Sequence, residues 1–188
     1  MRYENGDAHY QMEFELRLVP GEPTHDYLAE RFASPQVISN RNNNIALRAD
    51  GSVWAWGEFG WEYPHKLNLV NAAAGEYAVQ VAAGPQSYVI LSNLGNVYTS
   101  SSDGQARKVD GLSDVDYIAA GANTAVAVTK SGDVYTWGST PTKINNDVLG
   151  GHIISVAAGE EHVLALRADG TIYAWGRGTE GQLGLNAY

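Results

Sequence analysis

Cysteine is absent from the 188 residues, which removes disulfides, thiolate nucleophiles and cysteine-ligated metals from consideration. Cations are scarce: 12 Lys and Arg face 21 Asp and Glu, for a net charge of −9. A surface that neutralises phosphates needs the opposite balance, which argues against nucleic acid and anionic lipid as partners. No apolar run approaches the roughly 20 residues that cross a bilayer as a helix. The start, MRYENGDAHY, lacks the apolar core of a secretory signal. From these absences we expect a soluble protein without signal peptide or membrane segment, placed in the cytoplasm or on a virus or phage particle.

What the chain does have is a repeat. VISNRNNNIALRADGSVWAWG (37–57), VAAGPQSYVILSNLGNVYTSS (81–101), IAAGANTAVAVTKSGDVYTWG (118–138) and VAAGEEHVLALRADGTIYAWG (156–176) align without gaps, and the outer two share 10 of 21 positions. Self-similarity at a fixed period marks repeat architectures. Each copy reads as a small-residue strand ending in Ala-Ala-Gly, an apolar strand, a tight turn and a third strand. The turn glycines are Gly51, Gly95, Gly132 and Gly170, where Gly accepts the positive φ that a hairpin demands. Eleven residues before each lies a further small-residue slot, held by Gly84, Gly121 and Gly159 but by Asn40 in the first copy. Asn is the next most tolerant of left-handed backbone, so the same requirement is expected there.

A fourth strand per unit is readable in HKLNLV, ARKVDG and PTKIN. Four short strands about every 40 residues, with periodic Gly and aromatics, predict an all-β fold, a β-propeller of about four blades. Trp56, Trp137 and Trp175 share one slot, and Trp54, Tyr98, Tyr135 and Tyr173 the slot two residues earlier. Both slots point to one face of a strand, where large rings would pack against the neighbouring blade. Copy two has Ser100 and Ser101 in the Trp-Gly slot.

Residues 1–35 stand outside the repeat as an N-terminal arm, and 36–188 form the propeller domain. Residues 1–10 are polar and expected to be loose. QMEFELRLVP alternates Met12, Phe14, Leu16 and Leu18 with polar residues, a half-buried strand over 11–19 stopped by Pro20. Thr24 can cap a short helix over about 25–32. The last copy ends before its own fourth strand. The N-terminal strand could supply it and close a four-bladed ring; the alternatives are a half-propeller completed by another subunit and an open array capped by a partner.

VAAGEEHVLALRADGTIYAWGRGTEGQLGL, through its Ala-Ala-Gly, His162, Asp-Gly turn, Tyr-Ala-Trp-Gly strand and Gly-Gln-Leu-Gly end (Gly181 to Gly184), resembles the regulator of chromosome condensation repeat family. The resemblance spans roughly residues 37–185. It implies a propeller, and it implies functions as different as guanine-nucleotide exchange and β-lactamase inhibition. The chain departs from the family's usual seven blades of about 50 residues. His162 alone keeps the family histidine, and the Gly-Gln-Leu-Gly element is clear only in the last copy.

Residues 176–181, GRGTEG, match a dinucleotide fingerprint in letters only, since the string lies inside the repeat signature and is not expected to open a helix. His9, His25, His65, His152 and His162 lack metal spacing, and His162 reads as a structural repeat residue. Asp114 and Asp116 lack a calcium loop and read as a solvated turn. Ser100, Ser101 and Ser102 lack a nucleophile elbow. We therefore expect no enzyme, no cofactor and no metal site.

Phe59, Trp61 and Tyr63 alternate in the first connector, read as a loop over 58–65 outside the repeat. Large aromatics on a loop suit a protein interface; equally, they could fill the ring's centre or cover a blade edge. The leading expectation is a non-enzymatic module or scaffold that binds another protein. Self-association or particle assembly, a structural or decoration role on a virus or phage, exchange-factor activity by resemblance alone, and carbohydrate binding by Trp61 and Tyr63 stand as alternatives. The N-terminal arm is a second candidate surface, because an alternating strand can extend a neighbour's sheet.

Overall fold

The computed structural model describes residues 3–4, 7–8, 33–57, 61–85, 87–100, 102–122, 124–144 and 149–184. Near the N-terminus, β1 (Tyr3–Glu4) and β2 (Asp7–Ala8) pair antiparallel, where the polar composition had suggested no regular structure. The proposed strand 11–19 and helix 25–32 lie outside the described residues.

The repeat then folds as four antiparallel meanders. The first blade is β3 (Gln36–Asn40), β4 (Asn43–Leu47), β5 (Val53–Gly57) and β6 (Trp61–Leu69). The second is β7 (Ala78–Ala83), β8 (Tyr88–Ser92), β9 (Val97–Ser100) and β10 (Gln105–Lys108). The third is β11 (Val115–Ala120), β12 (Ala125–Thr129), β13 (Val134–Trp137) and β14 (Thr142–Lys143). The fourth has three strands among the described residues, β15 (Ile153–Ala158), β16 (His162–Arg167) and β17 (Ile172–Gly176). A bulge recurs in the inner strand of blades two, three and four, between Ala78 and Gln80, Val115 and Tyr117, and Ile153 and Ser155. The outer strands of the first two blades also pair, β6 parallel to β10 with Asn68 opposite Gln105, so these blades form one eight-stranded sheet.

The hairpin glycines take the left-handed backbone that their turns require, with φ of 75° at Gly51 and Gly95, 83° at Gly132 and 89° at Gly170. The Ala-Ala-Gly slot does not. Gly84, Gly121 and Gly159 are absent from the positive-φ residues, and in the first blade Arg41 (φ 52°), not Asn40, is left-handed. The slot is small for another reason: the blade tips converge. A Cβ on Gly84 would stand 2.5 Å from the Gly121 carbonyl oxygen, and one on Gly121 would overlap the Gly159 carbonyl oxygen. Asn40 fits because its amide donates to the Ala83 carbonyl of the next tip at 2.8 Å. Asp116 differs from the expected solvated turn, being an exposed residue on β11, while Asp114 (φ 53°) is exposed in the bend that leads into that strand.

The hydrophobic core lies between blades, in three clusters built on one scheme. From the first blade, Ile45, Leu47, Val53 and Ala55 meet Val81, Tyr88, Ile90 and Tyr98 of the second. From the second, Ala82, Val89, Leu91 and Val97 meet Ile118, Ala125, Ala127 and Trp137 of the third, with Tyr135 at the margin. From the third, Val126, Val128 and Val134 meet Val156, Val163 and Ala165 of the fourth, with Tyr173 and Trp175 packed alongside. Each blade thus inserts one face into the next and receives the previous blade on the face that carries its aromatic slots. Burying such side chains contributes about 1.5–3 kcal/mol each, which explains why the pattern persists while surface residues vary.

Two glutamines reinforce this scheme. Gln36 accepts from the Val81 N–H at 3.1 Å, and its amide is 3.5 Å from the Val79 carbonyl. Gln80, in the same slot one blade on, accepts from the Ile118 N–H at 3.0 Å and donates to the Ile118 carbonyl at 3.1 Å. Each side chain bridges to backbone groups of the next blade's inner strand.

Candidate partner-binding edge

The aromatic connector is shorter as a loop than its Gly and Pro content suggests. Strand β6 begins at Trp61, so Trp61 and Tyr63 sit on a strand rather than in a loop over 58–65, and Phe59 lies outside the described residues. The reason is local. Pairing with β5 runs from Val53 opposite Leu67 to Ala55 opposite His65, then slips so that Gly57 faces Trp61. Glu62, Tyr63 and Pro64 stand opposite Trp56 alone, two residues more than a regular ladder holds. Proline has no N–H to place in a ladder, and a bulge on an outer strand is where a sheet tolerates it.

The slip gives the two aromatics different surroundings. Trp61 is half-buried against the first core cluster and stacks on His65, with ring centroids 4.8 Å apart and planes 9° from parallel. That pair lies over the turn between β9 and β10, where a Cβ on Gly104 would come within 2.7 Å of His65 Nε2. Trp61 and His65 therefore fasten the outer edges of blades one and two together. Tyr63 is 77% exposed, between the exposed residues Glu62 and His65 and beside half-buried Pro64.

The remaining candidates are placed as follows. Gly176, Gly178 and Gly181 belong to no helix; Arg177 within that run bridges Glu161 at 3.3 Å and Glu180 at 2.6 Å. The His162 ring sits directly over Gly159, whose N–H donates to the His162 carbonyl at 2.8 Å. Ser100 is buried at the end of β9. Trp137 is buried, whereas Trp175 and Trp56 are half-buried in the same slot. Among the described residues no group of three His, Asp or Glu is placed to hold a metal ion, and no helix is long and apolar enough to cross a membrane.

Sequence reasoning did not foresee a groove of about 650 Å³ between blades two and three, lined in part by Thr99, Arg107, Lys108, Asp110, Trp137 and Thr140. Arg107 is held by Asp103 at 2.7 Å. Trp137 comes from the aromatic repeat slot, but Thr99, Arg107 and Lys108 on β9 and β10 and Asp110 and Thr140 in the connectors follow no repeated spacing.

Comparison with known proteins agrees with this geometry. The family model of the regulator of chromosome condensation (RCC1) repeat matches residues 115–140 and 153–182, the third and fourth blades. Protein pim1 of Schizosaccharomyces pombe is 26% identical over 117 residues, covering 62% of this chain and 19% of that protein. Human WBSCR16 superposes with a TM-score of 0.71 at 20% identity, over 82% of this chain and 50% of the other. Prp20p from Saccharomyces cerevisiae, whose structure was described with its binding properties to Gsp1p and histones, gives a TM-score of 0.67 at 24% identity, over 81% and 45%. The chain spans half or less of the length of these relatives. The third and fourth blades thus match the RCC1 repeat, the first two continue the same strand pattern, and the chain has the β-propeller fold of these structures.

Proposed function

We propose that the protein is a non-catalytic module that docks another protein through the bulged outer strand of its first blade, with Tyr63 as the anchor. The observation that carries this reading is a tyrosine pushed 77% into solvent by a register slip on an otherwise rigid, core-backed strand. Tyrosine brings large contact area at a low cost in rotamer entropy, and interface anchors are enriched in it. The net charge of −9 favours a partner with a basic face, through faster encounter rather than through tight contacts. The binding of Prp20p to Gsp1p and histones supports protein partners for a chain of this fold.

The test is affinity capture with Tyr63→Ala beside a Tyr117→Ala control on another exposed tyrosine. Tyr63→Ala should abolish capture of a partner that the control retains, with both variants melting within a degree or so of wild type. Undiminished capture by Tyr63→Ala would remove this strand as the site.

A further inference from the structure

The inter-blade scheme leaves two faces unused on the same chain. In the fourth blade, the slots that blades one to three insert into their successors are held by Leu164, Leu166, Ile172 and Ala157. Ile172 is 66% exposed and Leu166 36%, although the equivalent Val134 and Val128 of blade three are buried in the cluster with blade four. In the first blade, the receiving slots are held by Val37, Ala46, Trp54 and Trp56, with Asn44 in the slot of Tyr88, Ala125 and Val163. Val37 is 76% exposed, whereas Val81, Ile118 and Val156 in the same slot of the later blades are buried. Among the described residues the two faces do not meet: the tips of blades one and four are joined by the Arg41–Glu160 ion pair at 2.9 Å, while Val37, Leu166 and Ile172 stay exposed and Trp54, Trp56 and Leu164 are half-buried.

We propose that the outward face of the fourth blade docks on the open receiving face of the first blade of a second copy of this chain. The argument is continuity with an interface already built three times. The donor face repeats, slot by slot, what each earlier blade buries. Among the described residues the first blade carries the one receiving face that is not already filled. Apolar sheet faces of this kind are seldom left in water. Because each copy carries both faces, two copies related by a two-fold axis engage both at once, and the assembly closes instead of growing as a filament. This surface is separate from Tyr63, so the docking of another protein and the pairing of copies stand or fall independently.

Sedimentation velocity on the whole chain at micromolar concentration tests it, with Ile172→Glu on the donor face and Val37→Glu on the receiving face. Both residues are exposed in one copy, so the variants should keep the far-UV circular dichroism of wild type. Wild type should sediment as a dimer. Each variant alone should sediment as a monomer, its dimer weakened at least about a hundredfold by a carboxylate placed in an apolar contact. Mixing the two variants should restore a dimer through the one interface that remains intact. A monomeric wild type overturns the proposal, as does a dimer that survives Val37→Glu. So does a monomer that pairs only after residues 1–32 are removed, since the chain's own N-terminal segment would then be the occupant.

Discussion

Gly121 rests against the carbonyl oxygen of Gly159, with no room for a methyl group and only backbone to yield. Gly121→Ala should therefore cost more than about 2 kcal/mol, read as a loss of denaturant midpoint. Gly111→Ala should cost only about 1 kcal/mol, because Gly111 (φ 80°) has nothing within 4 Å of its missing Cβ and is strained in backbone alone. A different single-residue control acts through protons. Partial burial would raise the Glu76 carboxyl, but hydrogen bonds from Ser92 Oγ (2.6 Å), the Ala73 N–H (2.8 Å) and Asn96 Nδ2 (2.8 Å) outweigh it and hold it below its ordinary 4.5. A depressed carboxyl contributes stability that is present above the unfolded value and is lost as pH falls through the folded one. Tyr98 works in the other direction: burial, and then the nearby Glu76 carboxylate, push its phenol up to about 12 from 10.0. Its contribution is complete below pH 10 and is lost as pH rises toward 12. Denaturation midpoints across pH should fall at both ends, and Glu76→Gln should flatten the acid limb.

At the scale of strands, the Asp-Gly turns and the Trp-Gly slot announce the meander because both depend on backbone and side chain within one unit. The interactions between units are less legible. Gln36 and Gln80 lie just before the conserved-looking run and recur in only two blades, with Tyr117 and Ser155 in that slot later. Gln80→Ala removes both hydrogen bonds to Ile118 and strands its backbone groups, which should cost about 1–3 kcal/mol in equilibrium unfolding. Gln80→Glu should cost more than Gln36→Glu, because a carboxylate can no longer donate to the well-placed Ile118 carbonyl but forfeits little at the longer 3.5 Å contact to Val79. The start of β6 was hidden by Pro64, which reads as a loop residue until a bulge is allowed for. The Ala-Ala-Gly slot was read for the wrong property: sequence shows that a small residue is needed, not whether dihedral or proximity needs it. Only the crowding of neighbouring tips decides between them.

Across the whole molecule, four blades each bury one face in the next, so stability accumulates from unit terms and interface terms. The blades are not equivalent. Blades two and three are covered on both faces, while among the described residues the outer blades each share a core cluster with a single neighbour. Between the ends a further asymmetry follows from the parallel pairing of β6 with β10 and the Trp61–His65 pair lying over Gly104. Blades one and two are stitched along their outer rims as well as through their core. The fourth blade, with three strands among the described residues, has no such rim pairing there; beyond its core contact with blade three it is held at its tip, by the exposed Arg41–Glu160 ion pair at 2.9 Å and the Ala122 N–H donating to the Glu160 carbonyl at 3.2 Å.

That rim pairing gives the molecule a direction of opening. Amide hydrogens of β4, β5, β8 and β9 should exchange together and last, as one cooperative unit held by a continuous sheet. Those of β16 and β17 should exchange first, by detachment of a single blade. Hydrogen exchange read by mass spectrometry would show two separate protection classes in a chain whose repeats look alike. Trp61→Ala should merge part of the first class into faster exchange without unfolding the fourth blade any sooner.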